Sequence, residues 1–144
     1  MIHKIIIKNL KELENLSKNI AQRCYGGMFI GLIGDLGAGK TQFTKFLVKN
    51  LDGNINDVVS PTFTILNEYD TKTFKVYHFD LYRLNSIDEL EEIGYKDFFF
   101  DKDAIIVVEW IDRIPECVPD KYYLIKFKFV DNNPEWREIE LREV

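Results

Sequence analysis

Eight consecutive residues, Gly34-Asp35-Leu36-Gly37-Ala38-Gly39-Lys40-Thr41, have the types and spacing needed to hold a chain of phosphates. They satisfy the phosphate-loop (Walker A) pattern G-x-x-x-x-G-K-[ST] at every fixed position. In such a loop backbone N–H groups converge on phosphate oxygens, so Gly34, Gly37 and Gly39 give the chain conformations that a side chain would obstruct. Lys40 offers a point charge to the outer phosphates, Thr41 a hydroxyl to Mg²⁺, and the helix that follows turns its positive end to the anion. A glycine-rich turn alone joins many strands to helices, but it does not need Lys-Thr after its last glycine. The candidate nucleotide-binding stretch therefore runs from Asp35 through Leu36, Gly37, Ala38, Gly39, Lys40 and Thr41 to Gln42.

Three other places carry groups suited to the same chemistry. Ser60-Pro61-Thr62-Phe63-Thr64 gathers three hydroxyls around a proline. It reads either as an ordinary turn into a strand, or as a switch loop whose hydroxyl reaches Mg²⁺ or the terminal phosphate. Asp80 closes the aromatic-rich run Val76-Tyr77-His78-Phe79, where a Mg²⁺-holding acid belongs in phosphate-loop enzymes; the alternative is a solvated strand-end carboxylate. Glu109 closes the apolar run Ala104-Ile105-Ile106-Val107-Val108. A carboxylate there lies at the edge of an α/β sheet where ligands bind, and it could orient an attacking water or reach Mg²⁺ through one. Its alternative is a surface glutamate, and Trp110 beside it could be simple core filling. Cys24 and Cys117 form no C-x-x-C, and His3 and His78 complete no zinc spacing, so both cysteines read as reduced packing residues.

The elements that must position these groups follow from periodicity. Residues 2 to 7 read as a strand, then Leu10, Leu13, Leu16, Ile20, Ala21 and Cys24 recur at helical spacing behind Asn9, a fitting N-cap. Gly26-Gly27 ends that helix. Met28 to Ile33 form the strand before the loop, and Phe43, Phe46, Leu47 and Leu51 the inner face of the helix after it. Thr64 to Asp70 and Phe74 to Phe79 predict a β-hairpin. Ser86-Ile87-Asp88-Glu89 is a capping box opening a short helix that Gly94 stops. Tyr95, Phe98, Phe99 and Phe100 form an aromatic cluster, either core or a partner-facing patch. The run Ala104 to Val108 is the kind that central parallel strands show. Tyr122 to Val130 and Trp136 to Val144 predict a terminal hairpin, whose Lys126, Lys128, Arg137, Glu138, Glu140 and Arg142 suit a half-exposed antiparallel edge better than a site. The sum is an α/β fold, a phosphate-loop NTPase-like three-layer sandwich on a mixed sheet.

With 144 residues, 46% of them hydrophobic and 30% charged, residues 1–144 form one domain with a real core but little room for a separate substrate domain. No apolar run approaches the roughly 20 residues of a membrane helix, and the start shows no signal peptide, so a cytoplasmic location is expected. A net charge of −5 argues against unaided binding to a nucleic-acid backbone.

The phosphate loop, Ser60-Pro61-Thr62-Phe63, His78-Phe79-Asp80-Leu81-Tyr82-Arg83, Gly94-Tyr95 with Asp97, and Val108-Glu109-Trp110 resemble, in order and spacing, the bacterial TsaE (YjeE) ATPases, over roughly residues 5 to 142. The resemblance implies a small ATPase that acts with TsaB and TsaD in making threonylcarbamoyladenosine next to the tRNA anticodon. It would be a monomer when free, slow alone and stimulated by its partners, and would meet tRNA only through them. By similarity Lys40 and Thr41 serve phosphate and Mg²⁺, Thr62 is the switch hydroxyl, Asp80 a Mg²⁺ ligand, and Glu109 with Trp110 lies in the hydrolytic site, Glu109 being expected to contact Mg²⁺ as well. Gln42 departs from the pattern, where a second threonine is frequent. Two functions stay open: hydrolysis of Mg-ATP as the working step, or a nucleotide-gated binding module in which turnover only resets docking. A nucleotide kinase is the weaker third, since no acceptor domain or lid is evident. The docking surface expected is the Tyr95–Phe100 region with the Thr62 loop.

Overall fold

The computed structural model describes residues 2–144, in which seven strands share one mixed sheet. β2 (Phe29–Ile33), β4 (Lys75–Asp80) and β5 (Ala104–Glu109) are buried almost throughout, as strands covered on both faces must be. They run parallel, β4 beside β5 beside β2, and β6 (Tyr123–Val130) extends the parallel set on the far side of β2. Antiparallel strands complete the sheet. β3 (Leu66–Asp70) pairs with β4 as the predicted hairpin, β7 (Asn133–Glu143) folds back on β6, and β1 (Ile2–Ile7) covers β7.

The terminal hairpin is thus not an edge, contrary to the sequence expectation. β6 lies against β2, and the outer strands are β1 and β3. Polar-apolar alternation marks a strand with one solvated face, and it cannot tell an outer strand from one with neighbours on both sides.

Strand parity divides the core between two faces. α1 (Leu10–Arg23) and α2 (Lys40–Asn50) bring Leu13, Leu16, Phe43 and Leu47 onto Ile30, Leu32, Ile105 and Val107. On the opposite face α3 (Ile87–Ile93), α4 (Tyr95–Phe99) and a 3-10 turn at Ile111–Arg113 bring Leu90, Tyr95, Phe99 and Ile111 onto Phe29, Phe79, Ile106 and Val108. This is the expected three-layer sandwich. Phe99 meets Phe29 and Phe79 edge-on, each with ring centroids 5.0 Å apart, a favoured aromatic geometry. The Tyr95–Phe100 cluster is therefore mainly core: Tyr95 and Phe99 are buried and only Phe100 is well exposed. Burial of such rings contributes about 1.5–3 kcal/mol each, which the sequence could not distinguish from a docking patch.

Two caps test the local reading. Asn9 accepts the Glu12 N–H at 2.9 Å, as expected. Ser86 is the N-cap of α3, but its hydroxyl makes no capping bond, and Glu89 accepts from the N–H of Asn85 at 3.3 Å instead.

Candidate functional site

β2, β4 and β5 end at the same edge of the sheet, and parity aims their last polar residues one way. Val76, His78 and Asp80 share a face of β4, as Ile105, Val107 and Glu109 do on β5; Val76, Ile105 and Val107 pack in the core layer beneath α1 and α2. Asp80 stands opposite Glu109 in register. Both side chains thus face the start of α2.

The chain leaving β2 becomes the glycine loop. Gly37 and Gly39 have φ of +77° and +116°, in the left-handed region, while Gly34 is needed for space, since a Cβ there would lie 3.0 Å from the Phe127 carbonyl oxygen. α2 begins without a side-chain cap, so its first N–H groups point unclaimed toward the cleft. The loop is also braced from β7. Arg137 donates through Nε to the Ala38 carbonyl at 3.1 Å and through Nη2 to that of Gly37 at 3.4 Å. Sequence reasoning left Arg137 on a strand surface, because nothing in its alternation signals contact with residues a hundred positions earlier.

Lys40 is 4% exposed. Its ammonium donates to the carbonyls of Gly34 and Asp35 and lies 4.4 Å from the centroid of the Trp110 ring. Burial pulls this ammonium below the usual lysine range, against the opposing pull of Glu109 and Asp80. Asp80, also buried, accepts from the N–H of Tyr82 at 2.9 Å and from the Thr62 hydroxyl at 3.0 Å. Burial pushes its carboxyl above the usual range, an effect the Tyr82 bond opposes and the Glu109 charge reinforces.

Glu109 is no surface glutamate, being 3% exposed. Its carboxylate accepts from the Thr41 hydroxyl at 3.1 and 3.3 Å, and His78 Nε2 lies 2.5 Å from Oε2. His78 is fully buried, and its Nδ1 lies 2.9 Å from the Tyr69 hydroxyl. Tyr69 in turn donates to the Val59 carbonyl at 3.0 Å. Neither histidine nor tyrosine was expected here. The available signal was parity: His78 is two residues before Asp80 and must face the same way. Trp110 holds a left-handed φ of +59° and packs on Tyr82 at 4.9 Å between centroids; such a conformation in a non-glycine residue marks local strain.

Lys40, Thr41, Thr62, Asp80, Glu109 and Trp110 line one cleft of about 300 Å³. A second cleft, of about 520 Å³, lies along the same loop, between Gly37–Gly39 with Gln42 and the residues Lys8, Asn9, Leu10, Pro134 and Arg137. Asp35 is exposed and contributes its carbonyl to Lys40, while its side chain lines neither cleft. An apolar cavity of about 360 Å³, with Ile20, Met28, Ile125 and Leu141, lies toward the opposite edge of the sheet.

Residues 7–139 match the family model for the threonylcarbamoyl adenosine biosynthesis protein TsaE. The chain belongs to the TsaE family. It is 40% identical to the tRNA threonylcarbamoyladenosine biosynthesis protein TsaE of Borreliella burgdorferi, over 85% of this chain and 89% of that one. The Aquifex aeolicus TsaE is also 40% identical, over 81% and 83%, and that of Rickettsia felis 34%, over 90% and 74%. The crystal structure of Bacillus subtilis YdiB superposes with a TM-score of 0.81 at 30% identity, covering all of this chain and 86% of that one. TsaE family proteins take part in tRNA threonylcarbamoyladenosine biosynthesis, and the fold is that of a phosphate-loop NTPase. Among the described residues no helix is long and apolar enough to cross a membrane.

Proposed function

We propose that this TsaE family member binds Mg-ATP on the Gly34–Thr41 loop and hydrolyses it to ADP and phosphate, as the timed step of threonylcarbamoyladenosine formation carried out with TsaB and TsaD. The observation that carries the reading is the meeting of Lys40, Thr41, Asp80 and Glu109, drawn from three separate segments, around one cleft beside an uncapped helix start. Lys40 exchanges its carbonyl partners for the outer phosphates, and backbone N–H groups from Leu36 to Gln42 hold the inner ones. The nucleoside extends along the loop into the second cleft, beside Gln42 and Leu10, away from the acids. Glu109 orients a water and accepts its proton, and Trp110 walls the cleft.

The donor set fits Mg²⁺: two carboxylates and the three hydroxyls of Thr41, Ser60 and Thr62, all hard oxygens, with too few protein ligands for a closed cage. Mg²⁺ is usually held by one or two carboxylates together with substrate phosphates. Thr41 and Asp80 would hold it, with Glu109 in reach, and it would neutralise charge on the phosphates. Thr62 and its loop respond to the nucleotide through the bond to Asp80. That bond also favours a second reading, in which the ATP or ADP state sets the loop and hence docking, and hydrolysis resets it. The net charge of −5 suits a protein that meets tRNA through its partners rather than directly; its proposed place is the cytoplasm, as a monomer when free.

The test is steady-state phosphate release with and without the purified TsaB–TsaD pair. Slow turnover alone and a clear increase with the pair are expected; no turnover under either condition would overturn the hydrolytic reading.

A further inference from the structure

We infer that His78 is a positioning residue for Glu109, and that through Tyr69 it ties the place of this carboxylate to the backbone of the 58–65 loop. The inference rests on the hydrolytic reading above for its kinetic test, though not for its structural one.

A fully buried histidine must satisfy both ring nitrogens. His78 does so with Glu109 Oε2 at 2.5 Å and the Tyr69 hydroxyl at 2.9 Å. The other bonds holding the Glu109 carboxylate are the longer ones from the Thr41 hydroxyl, at 3.1 and 3.3 Å. Without the imidazole, nothing comparable fixes the carboxyl plane. Its reach then extends to the loop. A carboxylate only accepts, so Nε2–H donates to Glu109 and Nδ1 of the neutral ring accepts from the Tyr69 hydroxyl, whose one proton is shared with the Val59 carbonyl at 3.0 Å. Val59 and Nδ1 thereby compete for the Tyr69 proton, so the place of the Val59 carbonyl sets how firmly that hydroxyl holds His78. The same loop is fastened to Asp80 twice more, by the Thr62 hydroxyl at 3.0 Å and by the Ile65 carbonyl, which accepts the Asp80 N–H at 2.9 Å. Ile65 holds a φ of +69°, a strained state for a β-branched residue that only surrounding contacts maintain. These three bonds, with the Asn67 amide on the same Val59 carbonyl at 3.2 Å, hold the loop against both acids, and the Val59–Tyr69–His78 path is the one that ends on Glu109.

His78→Leu removes both ring nitrogens, while His78→Gln can place an amide N–H near the position of Nε2. With the partner pair present, His78→Leu should lower kcat on the order of 10- to 100-fold, taking as a guide the range seen when hydrogen-bond partners of metal ligands are removed. KM and ADP affinity should stay within about threefold. His78→Gln should recover most of the rate, and Tyr69→Phe should cost less than His78→Leu and nothing further on top of it. The structural test is hydrogen exchange at the Ile65 amide, which bonds the Pro61 carbonyl at 2.7 Å. His78→Leu and Glu109→Gln should each speed it, and His78→Gln should not. A His78→Leu kcat within about twofold of wild type, or equal losses of rate and ADP affinity in both His78 variants, overturns the inference. Should the wild-type protein show no turnover at all, the hydrolytic reading fails, and exchange unchanged by His78→Leu and Glu109→Gln would independently refute the coupling.

Discussion

Replacing Glu109 by glutamine removes a charge from the centre of the site while keeping its shape. Glu109 is 3% exposed, and its Oε2 lies 3.1 Å from the Thr41 hydroxyl and 2.5 Å from His78 Nε2; a glutamine oxygen in that place can still accept from both, while the amide nitrogen takes the place of Oε1, 3.3 Å from Thr41. A hydrogen bond to a charged group contributes about 1.5–3 kcal/mol and a neutral one about 0.5–1.5, but the variant is also spared the cost of burying a carboxylate. These terms oppose each other, so stability should change by no more than about 1 kcal/mol. Catalysis has no such compensation. A positioned base contributes about 10²- to 10⁴-fold, or roughly 3–5 kcal/mol of barrier. Turnover with the TsaB–TsaD pair should therefore fall by at least about 100-fold while Mg-ATP still binds at neutral pH. A second signature comes from Lys40, whose ammonium burial disfavours and Glu109 supports. Without that support the folded pKa drops further below 10.5. Nucleotide affinity that depends on the charged amine is then lost at a lower alkaline pH than in wild type. Phosphate release measures the rate and titration with Mg-ATP across alkaline pH measures the affinity. Wild-type turnover in the variant would refute the catalytic role. Abolished turnover with ATP-dependent docking and repeated rounds of tRNA modification intact would show that gating, not hydrolysis, is the working step.

Two further substitutions probe the costs built into the site. Burial raises the Asp80 carboxyl above 3.8, so its ionised form destabilises the fold; the penalty is absent below pH 3.8 and grows through the window up to the raised folded value. Asp80→Asn should therefore melt higher than wild type at pH 7, by about 2–4 °C per kcal/mol recovered, with the gap closing as the pH falls from the raised folded value toward 3.8, and should lose Mg²⁺-dependent nucleotide binding. Equal melting temperatures at pH 7 would contradict this. Arg137→Ala removes the bonds to the Gly37 and Ala38 carbonyls, and in this half-exposed setting their loss should weaken ADP binding by roughly tenfold, about 1.4 kcal/mol; a titration giving wild-type affinity would show that the loop keeps its shape unbraced.

The parts legible in the sequence are those that local rules determine. The Gly34–Thr41 loop, the helix after it, the β3–β4 hairpin and the continuous apolar run of β5 all follow from neighbours within a dozen residues. The parallel centre of the sheet and its terminal hairpin were named, but the place of that hairpin was not. Its alternation is equally compatible with an edge and with a seat beside β2, a choice made by long-range pairing. The site shows the same division. Asp80 and Glu109 stood out as acids closing apolar strands. His78, Tyr69 and Arg137 did not, because their roles depend on strand parity, a neighbouring strand and a contact between β7 and the loop.

The most direct measurement is calorimetric titration of Mg-ATP into the wild-type protein and into Lys40→Ala. Wild type should bind one nucleotide per chain, and the variant, lacking the only side-chain charge on the phosphate loop that attracts phosphate, should give no binding heat while remaining folded. Wild-type affinity in Lys40→Ala would contradict phosphate binding by this loop, and with it the assignment of Asp80, Thr62 and Glu109 to a nucleotide site.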